Sequence, residues 1–288
     1  MKARRYWLDR IQALDPVADH EEIYRISAGH EFPWDYTRAL ELALFRTYCV
    51  PSISALLSAT GEFRERPQKR YDDTALLMAE LASSGYDSER GKEALRVINR
   101  AHGRYPIAAD DMRYVLSTFI YEPIDWLDRF GWRPLSGHER LAAFHFYCEV
   151  GRRMGIRDIP AGFDEFRAFK VAYEAKHFSY ADTNREIGKY TLELLCSWYP
   201  RPLRPAARLG VRALLDDAMR TAFGFDAAPA WVTRVAQGAL RLRARVVARM
   251  PARMTSRLAR DPGNRTYPGY PQGYRPSDLG VDNSAGRA

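Results

Sequence analysis

The sequence has no apolar run long enough to cross a lipid bilayer, for which about 20 consecutive apolar residues are needed. It also shows no secretory leader, because the opening residues Met1 to Tyr6 are basic and run straight into polar sequence. These two absences predict a soluble protein of the cytoplasm, and they argue against an integral membrane protein or an exported one.

Cysteine is scarce as well. The 288 residues include 3 cysteines, Cys49, Cys148 and Cys196, which are far apart and stand among apolar neighbours. An odd number at such spacing predicts buried thiols in a reducing compartment, and it excludes a disulfide framework or a cysteine metal cluster.

The signatures of several common enzyme classes are missing. There is no Gly-Lys-Ser/Thr phosphate loop, no dinucleotide-binding glycine fingerprint, no Gly-x-Ser-x-Gly elbow and no His-Glu-x-x-His zinc motif. If the chain is an enzyme, its chemistry must therefore come from a cofactor that needs few protein ligands. Haem meets this condition, since one histidine and apolar walls between helices can hold it.

Helical periodicity dominates the sequence and strand-like alternation is nearly absent, which predicts an all-α fold. A chain of 288 residues can bury a large core. The composition predicts four segments, namely a helical lead-in (1–31), a multi-helix core domain (32–200), an arginine-rich helical extension (201–260) and an extended or disordered tail rich in Pro and Gly (261–288).

Several residues mark expected helix ends. Asp35 is a candidate N-cap for a helix over 36–59 that Pro51 should kink or split. Asp72 or Asp73 is expected to cap the following long helix. A later helix is expected to end before Pro123, because proline lacks the backbone N–H that a helix interior uses.

One histidine lies in an apolar helical pattern. Ala94, Ile98 and His102 are spaced four apart and share one face of a helix that Asp87 or Ser88 is expected to cap. This spacing points the imidazole inward from an apolar stripe. Two interpretations remain open, a core histidine bonded to a backbone carbonyl or an axial ligand of a metal cofactor.

Positive charge is concentrated near the C-terminus. Residues 201–260 contain 13 arginines and 3 aspartates, a net charge of +10 in a chain whose total is +8. Such asymmetry favours an anionic partner, either a membrane or nucleic acid, although a solvated arginine face is an alternative. The last predicted helix of this segment has an apolar stripe on one face and arginines on another. The apolar residues are Val232, Val235, Leu242 and Val246, and the arginines are Arg241, Arg245 and Arg249.

A family resemblance rests on short motifs in a fixed order. They are Phe32-Pro-Trp-Asp35, Ala39-Leu-Glu-Leu-Ala-Leu44, Thr60-Gly-Glu-Phe63, Arg70-Tyr-Asp-Asp-Thr74, Ile98-Asn-Arg-Ala-His102, Asp111-Met-Arg-Tyr114, Phe130-Gly-Trp-Arg133, Glu149-Val-Gly151, Met154-Gly-Ile-Arg-Asp-Ile-Pro160 and, in the tail, Tyr267-Pro-Gly-Tyr270. Each is a common string, but their order and spacing over residues 32–199 resemble the MpaB and rubber oxygenase (latex clearing protein) family.

The resemblance implies a globin-like all-α core that holds a b-type haem. By position, His102 is similar to the proximal iron ligand, and Arg70 and Thr74 to the polar residues on the distal side. In rubber oxygenases the corresponding motif looks like Arg-x-x-Lys-Thr, whereas in this sequence Asp73 stands at the lysine position. This departure places the chain nearer the MpaB-like branch. The simpler interpretations are a helix cap for Asp73, a surface charge for Arg70 and a first-turn residue for Thr74.

The resemblance further implies an oxygenase that acts with dioxygen on an apolar small-molecule substrate of isoprenoid type. Arg70 and Thr74 would then orient bound oxygen, and Asp73 would hold Arg70 or relay a proton. The expected location is the cytoplasm, peripheral to the inner face of a membrane through Arg241 and the two arginines that follow at four-residue spacing. Two alternatives remain, a non-enzymatic helical protein that binds an anionic membrane or, less favoured, nucleic acid through its arginine-rich segment, and a family member that has lost activity.

Overall fold

The computed structural model describes residues 2–258, 270 and 273–280. Within these residues the regular structure is entirely helical, as the sequence predicts. The helices are α1 (Tyr6–Gln12), α2 (His20–Ile26), α3 (Pro33–Thr47), α4 (Pro51–Thr60), α5 (Glu62–Glu65), α6 (Pro67–Ser84), α7 (Glu89–His102), α8 (Ala109–Phe130), α9 (Gly137–Arg153), α10 (Phe163–His177), α11 (Asp182–Ser197), α12 (Arg204–Arg212), α13 (Asp217–Phe223) and α14 (Ala230–Ala248). A π-helical turn, Ser27–Glu31, precedes α3, and 3-10 turns occur at Arg201–Leu203 and Pro276–Asp278.

Helix α8 forms the centre of the core, because α3, α9, α10 and α14 all pack against it. Its buried side chains point in every direction, among them Tyr114, Ile120 and Tyr121. Pro123 lies inside this helix and does not end it, so the predicted break was wrong. A proline in a helix interior costs about 3 kcal/mol, and packing on all sides of α8 offsets that cost.

The helix predicted over 36–59 is two helices, α3 and α4, which meet at a bend of 98°. Pro33 opens α3 and Pro51 opens α4, each at a first-turn position where proline fits well. Asp35 is therefore not a cap. Its buried carboxylate instead accepts hydrogen bonds from Trp126 Nε1 at 3.2 Å and from Arg243 Nη1 at 2.9 Å, which ties α3 to α8 and α14.

The arginine-rich segment completes the core. Met219 and Phe223 of α13 are buried, and Phe223 packs against Phe45 of α3 with ring centroids 4.9 Å apart. The Arg46 guanidinium also pairs with Glu174 at 2.6 Å and with Asp216, just before α13, at 2.5 Å. Residues beyond 200 thus pack on those of the predicted core segment.

Part of the predicted tail is ordered against the same body. Leu279 is buried, and the turn at Pro276–Asp278 contacts α7. The Tyr274 hydroxyl donates to Glu80 Oε1 of α6 at 2.8 Å. Residues 273–280 therefore dock on the helical body through one short turn and otherwise irregular chain. The rest of 261–288, apart from Tyr270, lies outside the described residues, and the extended or disordered tail stays a prediction.

Candidate haem site

Helices α6 and α7 form an antiparallel hairpin that carries the predicted site. Helix α6 begins at Pro67 and ends at Gly85, whose φ of 77° reverses the chain. The prediction that Asp72 or Asp73 caps α6 was wrong, because Pro67 starts the helix more than a turn earlier. Ser88 does cap α7, since its hydroxyl accepts from the Gly91 N–H at 3.0 Å. Residues early in α6 therefore lie opposite residues late in α7.

This pairing brings His102 close to Arg70. His102 is an exposed residue, so the inward orientation expected from the sequence is not seen. Partial burial of its ring still lowers the pKa of His102, and the Arg70 charge lowers it further. His102 Nδ1 lies 2.9 Å from the Ile98 carbonyl oxygen. Because a carbonyl only accepts, Nδ1 carries the proton and Nε2 keeps its lone pair. The carbonyl bond expected of a core histidine is thus present, and it also leaves a nitrogen able to bind a metal.

A small cavity of about 40 Å³ adjoins the hairpin. This volume holds about three water-sized molecules, which is enough for dioxygen and too small for a porphyrin. Most of its walls are apolar or aromatic, and Arg70, Thr74 and Glu41 supply charged or polar groups. The lining residues are Glu41, Leu44, Phe45, Tyr48, Phe63, Pro67, Arg70, Tyr71, Thr74, Thr191, Leu194 and Leu195.

Arg70 and Thr74 lie together at this cavity. The Arg70 guanidinium donates to the Thr74 hydroxyl, and that hydroxyl donates to the Arg70 carbonyl at 3.0 Å. The guanidinium also lies 5.8 Å from the Phe63 ring centroid, in a cation–π contact. The Thr74 hydroxyl has thus used its one proton, and the remaining guanidinium N–H groups of Arg70 are the donors at the edge of this mostly apolar space, where a hydrogen bond is stronger than it is in water.

Asp73 is placed differently from the prediction. Its buried carboxylate accepts from Lys69 Nζ at 2.7 Å and from the Tyr270 hydroxyl at 2.6 Å, and Lys69 also reaches the Gly280 carbonyl at 2.6 Å. Asp73 therefore binds the C-terminal segment and does not hold Arg70. The reason is helical spacing, since positions 69 and 73 form one row of α6 while 70 and 74 form the next row.

Glu41 is a site residue that the motif analysis missed. It accepts from the Tyr71 hydroxyl and from Arg38 Nη2, each at 2.5 Å. Burial raises the pKa of the Glu41 carboxyl above its ordinary value, although both donors oppose the rise. A signal was present, because Glu41 is the only charged residue in the apolar row from Ala39 to Leu44.

One residue near this cavity, His102, has the donor chemistry that a haem requires of a protein. Among the described residues, no three His, Cys, Asp or Glu side chains cluster tightly enough to hold a bare metal ion. A haem, by contrast, needs only one axial ligand from the protein. His102 matches that need, because ligating histidines usually donate their other N–H to a carbonyl or carboxylate, as Nδ1 does here. The cavity is smaller than a porphyrin, and His102 is not among the residues that line it.

The fold and the site define an all-helical protein whose candidate chemistry lies in one helical hairpin and the cavity beside it. Residues 37–249 match the family model described as "ER-bound oxygenase mpaB/B'/Rubber oxygenase, catalytic domain", and the chain belongs to this family. The predicted family is thereby confirmed, and so is the prediction of an oxygenase-class enzyme.

Three curated relatives are similar over most of the chain. It is 30% identical over 239 residues to the ER-bound oxygenase mpaB of Penicillium roqueforti (strain FM164), covering 76% of this chain and 80% of the relative. It is 30% identical to the ER-bound oxygenases mpaB' and mpaB of Penicillium brevicompactum, covering 80% and 68% of this chain. The chain spans only 59% and 55% of those two relatives.

All three of these relatives are named ER-bound. Of the helices in the described part of the chain, none taken singly is long and apolar enough to span a bilayer. Helices α3 and α4 satisfy length and composition only as a pair, across their 98° bend. The cytoplasmic location stays a prediction.

Proposed function

We propose that the protein is a haem b-dependent oxygenase that uses dioxygen on an apolar, isoprenoid-like substrate. The observation that carries the proposal is the α6–α7 hairpin, which sets His102, with its Nε2 lone pair available, close to Arg70 at the edge of a dioxygen-sized cavity. Membership of an oxygenase family supports the reaction class.

Each side chain has a role that follows from its position. His102 would hold the iron through Nε2, while the Ile98 carbonyl fixes the tautomer and the ring orientation. When bound, haem supplies the redox chemistry that no protein side chain offers. Arg70 would donate a hydrogen bond to an oxygen atom in the cavity. Thr74 would fix the direction of the guanidinium, because its hydroxyl accepts one guanidinium N–H and donates its own proton to the Arg70 carbonyl.

Glu41 would hold or pass a proton at the wall of the cavity that α3 supplies. Its pKa is raised by burial, which brings the carboxyl closer to the neutral range where proton exchange is efficient. The Tyr71 hydroxyl and Arg38 both contact Oε1, so the carboxyl is held in one orientation.

The substrate class rests on the resemblance and on the lining of the cavity. Leu44, Phe45, Phe63 and Leu194 offer apolar contacts and exclude water from the polar groups. We place this reaction at the inner face of a membrane, in contact through Arg241, Arg245 and Arg249, and the exposure of these three side chains supports that location.

The test is haem content after expression with a haem precursor. The purified protein should show a Soret band, and His102→Ala should lose most of it. His145→Ala is the matched control, because His145 is also a partly buried histidine with a lowered pKa but lies on α9. A colourless wild-type protein, or equal haem content in His102→Ala, would refute the proposal.

A further inference from the structure

Helix α14 has one face that is fixed against the core. Val232 and Ala244 are buried there. Arg243, on the same side, pairs with Asp35 at 2.9 Å, and its guanidinium lies 3.8 Å from the Trp34 ring centroid. These contacts fix the rotation of α14 about its axis, so the direction of its other face is also determined.

That other face presents large apolar side chains to solvent. Trp231, Val235, Leu242 and Val246 are exposed by 61%, 62%, 60% and 53%. At 3.6 residues per turn they fall within about 60° of one another around the helix. The apolar stripe expected from the sequence is therefore mostly uncovered, and only its first member, Val232, is buried. A continuous exposed apolar row of this kind marks an interaction surface.

Arginines border this apolar row. Arg234, Arg241 and Arg245 are exposed in the neighbouring sector of the helix, and Arg249 is exposed at its C-terminal end. The segment Ala230–Ala248 contains no Asp or Glu. The outer face of α14 thus combines an apolar row with an uninterrupted cationic border.

We propose that α14 docks on an anionic lipid bilayer. The row from Trp231 to Val246 would enter the boundary between headgroups and acyl chains, and the bordering arginines would contact lipid phosphates. The proposal gives a surface to the peripheral location proposed above, but it does not depend on haem. Docking there would place the enzyme beside a phase in which an apolar substrate dissolves.

Charge and polarity together favour lipid over other partners. Nucleic acid would engage the arginines through phosphates and leave the apolar row in water. A second copy of the chain, paired antiparallel through the same row, would set each arginine border against its counterpart, and like charges so placed repel. Only an anionic bilayer offers both an apolar layer and negative charge to one helix face.

The first experiment measures co-sedimentation of the full chain with vesicles of phosphatidylcholine that contain about one third phosphatidylserine. Each arginine near such a surface contributes roughly fivefold in affinity, so changing Arg234, Arg241 and Arg245 to Gln should weaken binding on the order of 100-fold. The matched control changes three exposed arginines elsewhere to Gln and should weaken vesicle binding much less. These arginines are Arg5, Arg96 and Arg157. Vesicles of phosphatidylcholine alone should bind weakly.

A second set of variants tests the apolar row. Val235→Ser with Leu242→Ser should weaken binding by at least about tenfold, since two apolar side chains would no longer be buried. Val171→Ser is the control, because Val171 is 59% exposed on α10. Vesicles with brominated acyl chains should quench the fluorescence of Trp231, and Trp231→Phe should lose that quenching while it still binds.

Three outcomes would overturn the proposal. One is a wild-type protein that does not bind the anionic vesicles. Another is serine variants that bind as wild type does, which would mean electrostatic adsorption without insertion. The third is a concentration-dependent dimer that Leu242→Ser abolishes, which would assign the row to a second copy. Soret absorbance read in the same samples separates this test from the haem proposal, because binding by a colourless protein would count against haem alone.

Discussion

Replacing Asp73 by asparagine should loosen the C-terminal segment and leave the groups at the cavity in place. Asp73 Oδ1 accepts from the Tyr270 hydroxyl and Oδ2 from Lys69, while Lys69 holds the Gly280 carbonyl. The carboxylate therefore organises the contacts between α6 and residues 270 and 280. Arg70, on the next row of the helix, keeps its own bond to Thr74.

The magnitude follows from these bonds. A hydrogen bond to a charged acceptor contributes about 1.5–3 kcal/mol, and a partly exposed ion pair such as Lys69 with Asp73 contributes at most about 1 kcal/mol. Asparagine keeps one acceptor oxygen, so the net loss should be about 1–2 kcal/mol. A loss of that size raises the population of the detached segment roughly 5- to 30-fold.

Hydrogen exchange read by mass spectrometry measures this directly. Amides in peptides that cover 273–280 should exchange faster in Asp73→Asn, while α8 in the core should exchange as in wild type. Tyr270→Phe removes the same bond from the other partner and should produce a similar change. If exchange stays unchanged while dioxygen uptake falls, Asp73 acts within the site and our assignment is wrong.

Four further predictions concern the site and the hairpin. Burial raises the pKa of Asp72 from its ordinary 3.8 to about 7, so between these pH values the folded state binds more protons and its stability falls as pH rises. Asp72→Asn should therefore raise the free energy of unfolding by at most about 4 kcal/mol above about pH 7, with a higher Tm, and should give no gain below about pH 4. The pKa of His102 lies below 6.5, so acid release of haem, followed by Soret absorbance, should begin only below that pH. Glu41→Gln should remove an acid limb of the pH–rate profile that lies above pH 4.5, and an unchanged profile would exclude its role in proton transfer. Ser88→Ala should lower the free energy of unfolding, measured in urea, by about 1 kcal/mol, and no change would mean that the Ser88 cap does not stabilise α7.

Features decided within one helical turn could be read from the sequence. The capping box of Ser136 with Glu139 and the glycine stop at Gly85, which has a positive φ, occur where the residue types predict them, because their partners are three or four positions away. Pro123 and Asp73 were misjudged for the opposite reason. Helices from elsewhere in the chain surround Pro123, and the partners of Asp73 include a residue 197 positions away.

The site was predictable only as far as the hairpin extends. Arg70 lies near His102 because two adjacent helices reverse at a short turn, and Thr74 lies one helical turn from Arg70, so the motif spacing carries both placements. Glu41 joins them from α3, a placement that depends on tertiary packing. In the same way, periodicity shows that α14 has an apolar face, but it does not show whether another element covers that face.

The contact of α13 with α3 has a consequence for how the chain is made. Arg46 and Asp216 are 170 residues apart. At synthesis rates of 5–20 residues per second, roughly 10 to 30 s pass between the emergence of the two partners from the ribosome. During that interval Phe45 lacks Phe223, its aromatic neighbour, and the Arg46 charge lacks one of its counter-ions. The nascent chain therefore exposes an apolar surface beside α3 until the arginine-rich segment has been synthesised.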